Sequence, residues 1–144
     1  MYKRQTLSSL NGQNTLVLNN NRLPDVTVTK PFQERLGDSD IGQAIVVQDQ
    51  RILAIEAAEG TDEMLARCQG LIDVSAAPAI FLKCAKLAQD RRLDIPVIGA
   101  DTLRRAAAAG IGVIACEAGG VLLSESPDIL WQEADRLGLS VIGI

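Results

Sequence analysis

Ala79-Ile80-Phe81-Leu82 runs directly into Lys83-Cys84-Ala85-Lys86-Leu87-Ala88-Gln89-Asp90-Arg91-Arg92-Leu93-Asp94, and an apolar Ile95-Pro96-Val97-Ile98 before Gly99 closes the stretch. A short apolar run of this kind reads as a buried strand. The residues after it carry two lysines, two arginines, two aspartates and a glutamine. Charges packed so densely beside a buried strand pair with one another or hold a ligand that bears phosphate and metal. Pro96 biases Ile95 toward extended backbone, so a helix begun in this stretch ends by about there. Within such a helix Asp90 and Asp94, four apart, share a face.

Working outward, the same alternation of short apolar runs and helix signals continues on both sides. Ala44-Ile45-Val46-Val47 and Ile52-Leu53-Ala54-Ile55 flank Asp49-Gln50, which predicts a hairpin. Gly60-Thr61-Asp62 opens a helix with Leu65, Cys68 and Ile72 on one face. Asp101 is expected to cap a second helix, with Leu103, Ala106 and Ala107 inward and Gly110 as its stop. Val113-Ile114-Ala115 and Val121-Leu122-Leu123 read as buried strands. Ser126-Pro127-Asp128 starts a third helix, with Pro at the first helical position and Leu130, Ala134 and Leu137 as its buried stripe. Gly138 ends it, and Val141-Ile142 makes a last strand. Strands alternating with helices on short connections give an α/β fold, a single layered domain with helices flanking its sheet. The hairpin makes that sheet mixed rather than purely parallel.

The front of the chain reads differently. Met1-Tyr2-Lys3-Arg4-Gln5 is what GTG-TAT-AAG-AGA-CAG encodes when GTG is a start codon, and that string ends a transposase adapter. Residues 1–5 are therefore expected to be a sequencing scar, with a native N-terminal region missing, and scars are excluded from fold reasoning. Residues 6 to about 30 read as loop around one apolar run, Leu16-Val17-Leu18, and the stretch 6–38 as a linker or remnant. Phe32 to Leu36, before Gly37, reads as the end of a helix. The domain proper is expected over 39–144.

Composition narrows the chemistry. The 144 residues are 47% hydrophobic but only 3% aromatic, so the core is built from Ala, Val, Ile and Leu. The net charge is -4, and no basic run is present, which argues against a nucleic-acid partner. No apolar stretch reaches transmembrane length. Three cysteines without a Cys-x-x-Cys pair, and no histidine, argue strongly against a structural zinc site and exclude any histidine-based triad within this chain. Reduced thiols fit a cytoplasmic protein. A metal here is a hard ion on carboxylates, with Mg²⁺ the first choice.

Three motifs are candidates for the site. In the first, Asp90 and Asp94 with Gln89 hold Mg²⁺ and orient a water, while Lys83, Lys86, Arg91 and Arg92 neutralise phosphate oxygens. The same residues also fit a surface lattice of ion pairs, each worth roughly 0–1 kcal/mol. The second is Glu56-Ala57-Ala58-Glu59-Gly60-Thr61-Asp62, a strand end before a helix start whose free N–H groups suit an anion. An ordinary N-cap by Thr61 or Asp62 is the favoured explanation, since Asp62 and Glu63 repel a phosphate that lacks a metal. The third, Cys116-Glu117-Ala118-Gly119-Gly120, serves a close ligand approach or a tight turn between strands. Cys84, with no histidine base beside it, reads as packing.

Taken in order, Asp40-Ile41-Gly42-Gln43, Glu56 to Leu65, Lys83-x-x-Lys86, Gln89-Asp90-Arg91-Arg92-x-Asp94-x-Pro96-x-Ile98-Gly99 and Glu117-Ala118-Gly119 resemble the C-terminal domain of the LpxI family, from about Val28 to Ile144. These are UDP-2,3-diacylglucosamine pyrophosphatases of lipid A synthesis. The resemblance implies Mg²⁺-dependent hydrolysis of UDP-2,3-diacylglucosamine at the α-phosphorus, giving UMP and 2,3-diacylglucosamine 1-phosphate. It implies a cytoplasmic enzyme at the inner-membrane surface, a homodimer as one possible assembly, and a Rossmann-like N-terminal domain that closes over the lipid. By motif, Asp90 and Asp94 carry over as catalytic and metal-binding residues, with Asp90 favoured as the essential one. Lys83, Lys86, Gln89, Arg91, Thr61 and Asp62 carry over as phosphate, metal or substrate contacts. The family's Lys-Ala-Pro-Lys-Pro is Lys83-Cys84-Ala85-Lys86-Leu87 here, and two missing prolines loosen that loop. This chain alone is then expected to be folded but inactive. The alternative is an α/β domain that binds a phosphorylated ligand without hydrolysing it.

Overall fold

The computed structural model describes residues 8–10, 13–18, 21–23, 35, 41–85 and 95–144, with side chains from 35 and from 41 onward. At its centre is a five-stranded sheet of β4 (Ala44–Gln48), β5 (Arg51–Ile55), β6 (Ala79–Lys83), β8 (Ile111–Cys116) and β10 (Ser140–Gly143), in the order β10-β8-β6-β4-β5. Strands β6, β8 and β10 run parallel, and β4 is antiparallel to both β6 and β5. The expected α/β fold with a mixed sheet is what the chain adopts.

The helices are α1 (Gly60–Cys68), α2 (Ala100–Ala109) and α3 (Pro127–Leu137), with α2 packed between the other two. Period-two alternation divides the sheet into two apolar faces. Ala44, Val46, Phe81 and Ile114 pack with Met64, Leu65, Leu103, Ala106, Leu130 and Ala134 on the helix-bearing face. Ile45, Val47, Ile80, Leu82, Val113, Ala115 and Ile142 form the core of the other. Each fully buried Leu, Ile or Phe contributes about 1.5–3 kcal/mol. Among the described residues no helix is long and apolar enough to cross a membrane.

Local chemistry explains most boundaries. Asp49 (φ 49°) and Gln50 (φ 63°) both adopt left-handed backbone, the geometry of a two-residue turn whose twist matches the flanking strands. Gly110 and Gly138 take φ of 93° and 71° and end α2 and α3 as expected. Ser126 in extended backbone precedes Pro127 at the start of α3.

Several expectations are corrected. Residues 8–10, 13–18 and 21–23 are not loop: they form an antiparallel meander, β1-β2-β3. Leu122–Leu123 (β9) lies outside the main sheet and pairs in parallel with Val97–Ile98 (β7), leaving Leu122 exposed. Helix α1 ends at Cys68, so Ile72 packs from beyond it. Asp101 does not cap α2. The cap is Gly99, and the Glu125 carboxylate accepts the Ala100 N–H at 3.2 Å while also bonding the Ser124 hydroxyl. Asp101 instead receives Arg105 at 2.8 Å, one turn along. The helix end expected near Leu36 lies outside the described residues apart from Arg35.

Glu133 of α3 ties the helices together, accepting from Arg104 of α2 at 2.7 Å and from Arg136 at 2.8 Å. The bonds from Arg136 and then Arg104 hold its carboxyl down at about 2, against an ordinary 4.5. A depressed carboxylate stabilises above its ordinary pKa and loses that contribution as pH falls through the folded value. The melting-temperature deficit of Glu133→Gln should therefore be full near about pH 7 and shrink between about pH 4.5 and 2, and shrink also with added salt. A deficit independent of pH would contradict this role.

Candidate functional site

Because β4 runs against its neighbours, its beginning lies beside the ends of β5 and β6, and β8 ends at the same edge. Carboxyl ends of strands are where open α/β sheets bind ligands. Here that edge collects Ile41-Gly42-Gln43, Glu56 to Thr61, Lys83 and Cys116 to Gly120. The motifs singled out from the sequence on described residues thus converge.

Lys83 is the last residue of β6 and only 7% exposed. Alternation places its side chain on the helix-bearing face with Phe81, between Ala44 of β4 and Cys116 of β8 in the strand register. Its ammonium donates to the Thr61 hydroxyl at 3.2 Å and to the Val97 carbonyl at 3.1 Å. The Thr61 hydroxyl in turn donates to Glu56 Oε1 at 2.8 Å, and Glu56 Oε2 accepts the Gln43 N–H at 3.0 Å. Thr61 is therefore no helix cap. The N-cap is Glu59, whose side chain makes no capping bond and instead receives Arg67 at 2.7 Å. Arg67 also donates to the Ile55 carbonyl at 2.6 Å and so ties α1 to the end of β5.

Asp62 does not join this network. It faces Arg105 of α2 at 3.4 Å and is 56% exposed. On the β8 side, the Glu117 carboxylate accepts the Ala85 N–H at 2.9 Å and its N–H donates to the Lys83 carbonyl at 3.1 Å. The following glycines make a tight turn, with Gly119 at φ 77° and the Gly120 N–H returning to the Glu117 carbonyl at 3.1 Å. Of the two uses weighed for that segment, the turn is the one observed. Burial pushes the Cys116 thiol up to about 11, against a smaller downward pull from Lys83, so it stays protonated at neutral pH. Cys84 is buried, as expected of a packing residue.

Glu56 and Glu117 lie in motifs singled out from the sequence, but sequence reasoning gave neither side chain a role of its own. The strand-end position of Glu56 before Gly60-Thr61 was the visible signal, but its bond to Thr61 depends on the path of the turn between them. Lys86, Gln89, Asp90, Arg91 and Asp94 lie outside the described residues. Among the described residues no group of three Cys, Asp or Glu could ligate a metal. Glu56 accepts a hydrogen bond at each oxygen, and Glu117 accepts the Ala85 N–H.

A model of the LpxI C-terminal domain matches residues 12–142, beginning ahead of Val28 and including β2 and β3. The UDP-2,3-diacylglucosamine pyrophosphatase LpxI of Caulobacter vibrioides is 37% identical over 127 residues, covering 85% of this chain and 45% of the relative. The chain thus spans less than half the length of that relative. Among solved structures, the apo dCMP deaminase from the cyanophage S-TIM5 overlays with a TM-score of 0.48 at 14% identity, over 85% of this chain and 99% of that one. A likeness that loose carries no argument.

Proposed function

The chain belongs to the LpxI C-terminal domain family, and on that premise we propose that it supplies the phosphate-gripping half of a UDP-2,3-diacylglucosamine pyrophosphatase. The observation that carries the reading is the 37% identity to the Caulobacter relative, over a match that includes the Lys83 edge. The reaction adds water across the pyrophosphate, breaking one bond to the bridging oxygen and giving UMP and 2,3-diacylglucosamine 1-phosphate. Lys83, Lys86, Gln89 and Arg91 contact phosphate oxygens, Arg91 by its planar fork. Thr61 belongs to the same edge as a partner of Lys83. Asp62, 56% exposed and facing Arg105, is the further substrate contact proposed at this helix start.

Asp90 and Asp94 are hard oxygen donors of the kind Mg²⁺ takes. When bound, the ion supplies charge neutralisation on phosphate oxygens and a more acidic water. The residues of this chain hold and orient the pyrophosphate. A second, N-terminal domain completes the site and covers the lipid, and the assembled enzyme works on the cytoplasmic face of the inner membrane. The chain alone is folded and inactive.

The test is UMP release from UDP-2,3-diacylglucosamine in ¹⁸O-labelled water, with Mg²⁺ or with EDTA. The protein is this chain fused to the N-terminal part of the Caulobacter relative that it does not cover. Release with Mg²⁺ and none with EDTA is the expected result, and no release by the folded fusion overturns the reading. Label in UMP marks attack at the α-phosphorus, the position expected from the resemblance, and label in the sugar-lipid phosphate marks attack at the β-phosphorus.

A further inference from the structure

The geometry points to Glu56 as a positioning residue for Lys83, acting through the hydroxyl of Thr61, and this rests on the reading of that edge as a phosphate site. The polarity of the chain of bonds is fixed by chemistry. A threonine hydroxyl has one hydrogen, and a lysine ammonium can only donate. Since Lys83 donates to Thr61 at 3.2 Å, the Thr61 proton is free to go to Glu56 Oε1, which lies at 2.8 Å. The carboxylate therefore orients the hydroxyl, and the oriented lone pair holds the ammonium.

Glu56 is itself held at both oxygens, Oε1 by Thr61 and Oε2 by the Gln43 N–H at 3.0 Å. Its own N–H donates to the Ala44 carbonyl at 2.9 Å, so the main chain beneath it is anchored to β4. Gly42 allows that approach, since a Cβ there would run into the Glu56 main chain. A lysine only 7% exposed loses most of its hydration, and such a charge needs a counter-charge and full hydrogen bonding. The Glu56 carboxylate, one hydroxyl away, is one such negative charge. The Val97 carbonyl at 3.1 Å supplies a second fixed acceptor. Glu56 thus need not touch a substrate to set where the Lys83 ammonium sits.

Two measurements test this. In the fusion, Glu56→Gln and Thr61→Val should each lower kcat/KM about tenfold, as for the loss of one bond to a charged group, while Thr61→Ser keeps it. In a Lys83→Met background neither change should lower it further, because both act through Lys83. Losses that multiply in that background would overturn the proposal. In the 144-residue chain as it stands, a protected Lys83 ammonium signal in ¹⁵N NMR should persist in wild type and Thr61→Ser. It should be lost in Thr61→Val and Glu56→Gln. If Glu56→Gln fails to fold, the Thr61 pair still decides the matter, and a signal unchanged in Thr61→Val removes the relay. An inactive fusion with the expected NMR pattern would defeat the functional reading and leave the relay standing. An active fusion with an unchanged signal would do the reverse.

Discussion

Asp90→Ala in the fusion protein should lower UMP release by about a thousandfold, on the scale of losing a group that stabilises charge only in the transition state. Affinity for UMP should change only a few-fold, because on the proposed reading Lys83, Lys86 and Arg91 would still neutralise phosphate. Asp94→Ala should fall in the same direction if, as proposed, the two carboxylates share one ion. Persistent hydrolysis in both variants would remove the catalytic assignment. Tight UMP binding by a wild-type fusion that never hydrolyses would instead identify a domain that binds phosphorylated ligands without turnover.

Gly42→Ala should lower the melting temperature by about 5–10 °C, the size expected for overpacking a rigid contact in a domain of this length. The added Cβ would overlap the Glu56 carbonyl oxygen and lie 2.7 Å from its carbon and 3.2 Å from its Cβ. These are mostly main-chain atoms with no rotamer to escape into. The junction is also pinned on both sides, by the Glu56 N–H on the Ala44 carbonyl at 2.9 Å and the Cys84 N–H on the Gln43 carbonyl at 3.0 Å. Any adjustment therefore moves Glu56 or the end of β6, and hydrolysis should fall along with stability. An unchanged melting temperature would show that the start of β4 yields more easily than its bonds imply.

What the sequence discloses is what neighbouring residues decide. The Asp49-Gln50 turn, the Ser126-Pro127 start of α3 and the stops at Gly110 and Gly138 depend on backbone preferences within a few residues, and each is legible. The meander at 8–23 is not, because an Asn-rich stretch carries little strand propensity and its pairing partners are strands of the same kind. Nor is the cap of α2, where the acceptor Glu125 lies 25 residues from the Ala100 N–H it receives. At the site, the lysine and the threonine were both visible as candidates. Their connection was not, since Thr61 and Lys83 are 22 residues apart and meet only because β5 and β6 end at one edge. The pairing of Asp62 was illegible for the same reason: its neighbour Arg105 lies on the next helix.

The central claim is that this chain is one half of a pyrophosphatase site. The most direct measurement compares UMP release by the 144-residue chain alone with release by the same chain fused to the N-terminal part of the Caulobacter relative, both with Mg²⁺ and both shown to be folded. Release by the fusion and none by the chain alone is the predicted result. Equal release by the chain alone would contradict the claim, since the 144 residues would then hold a complete site.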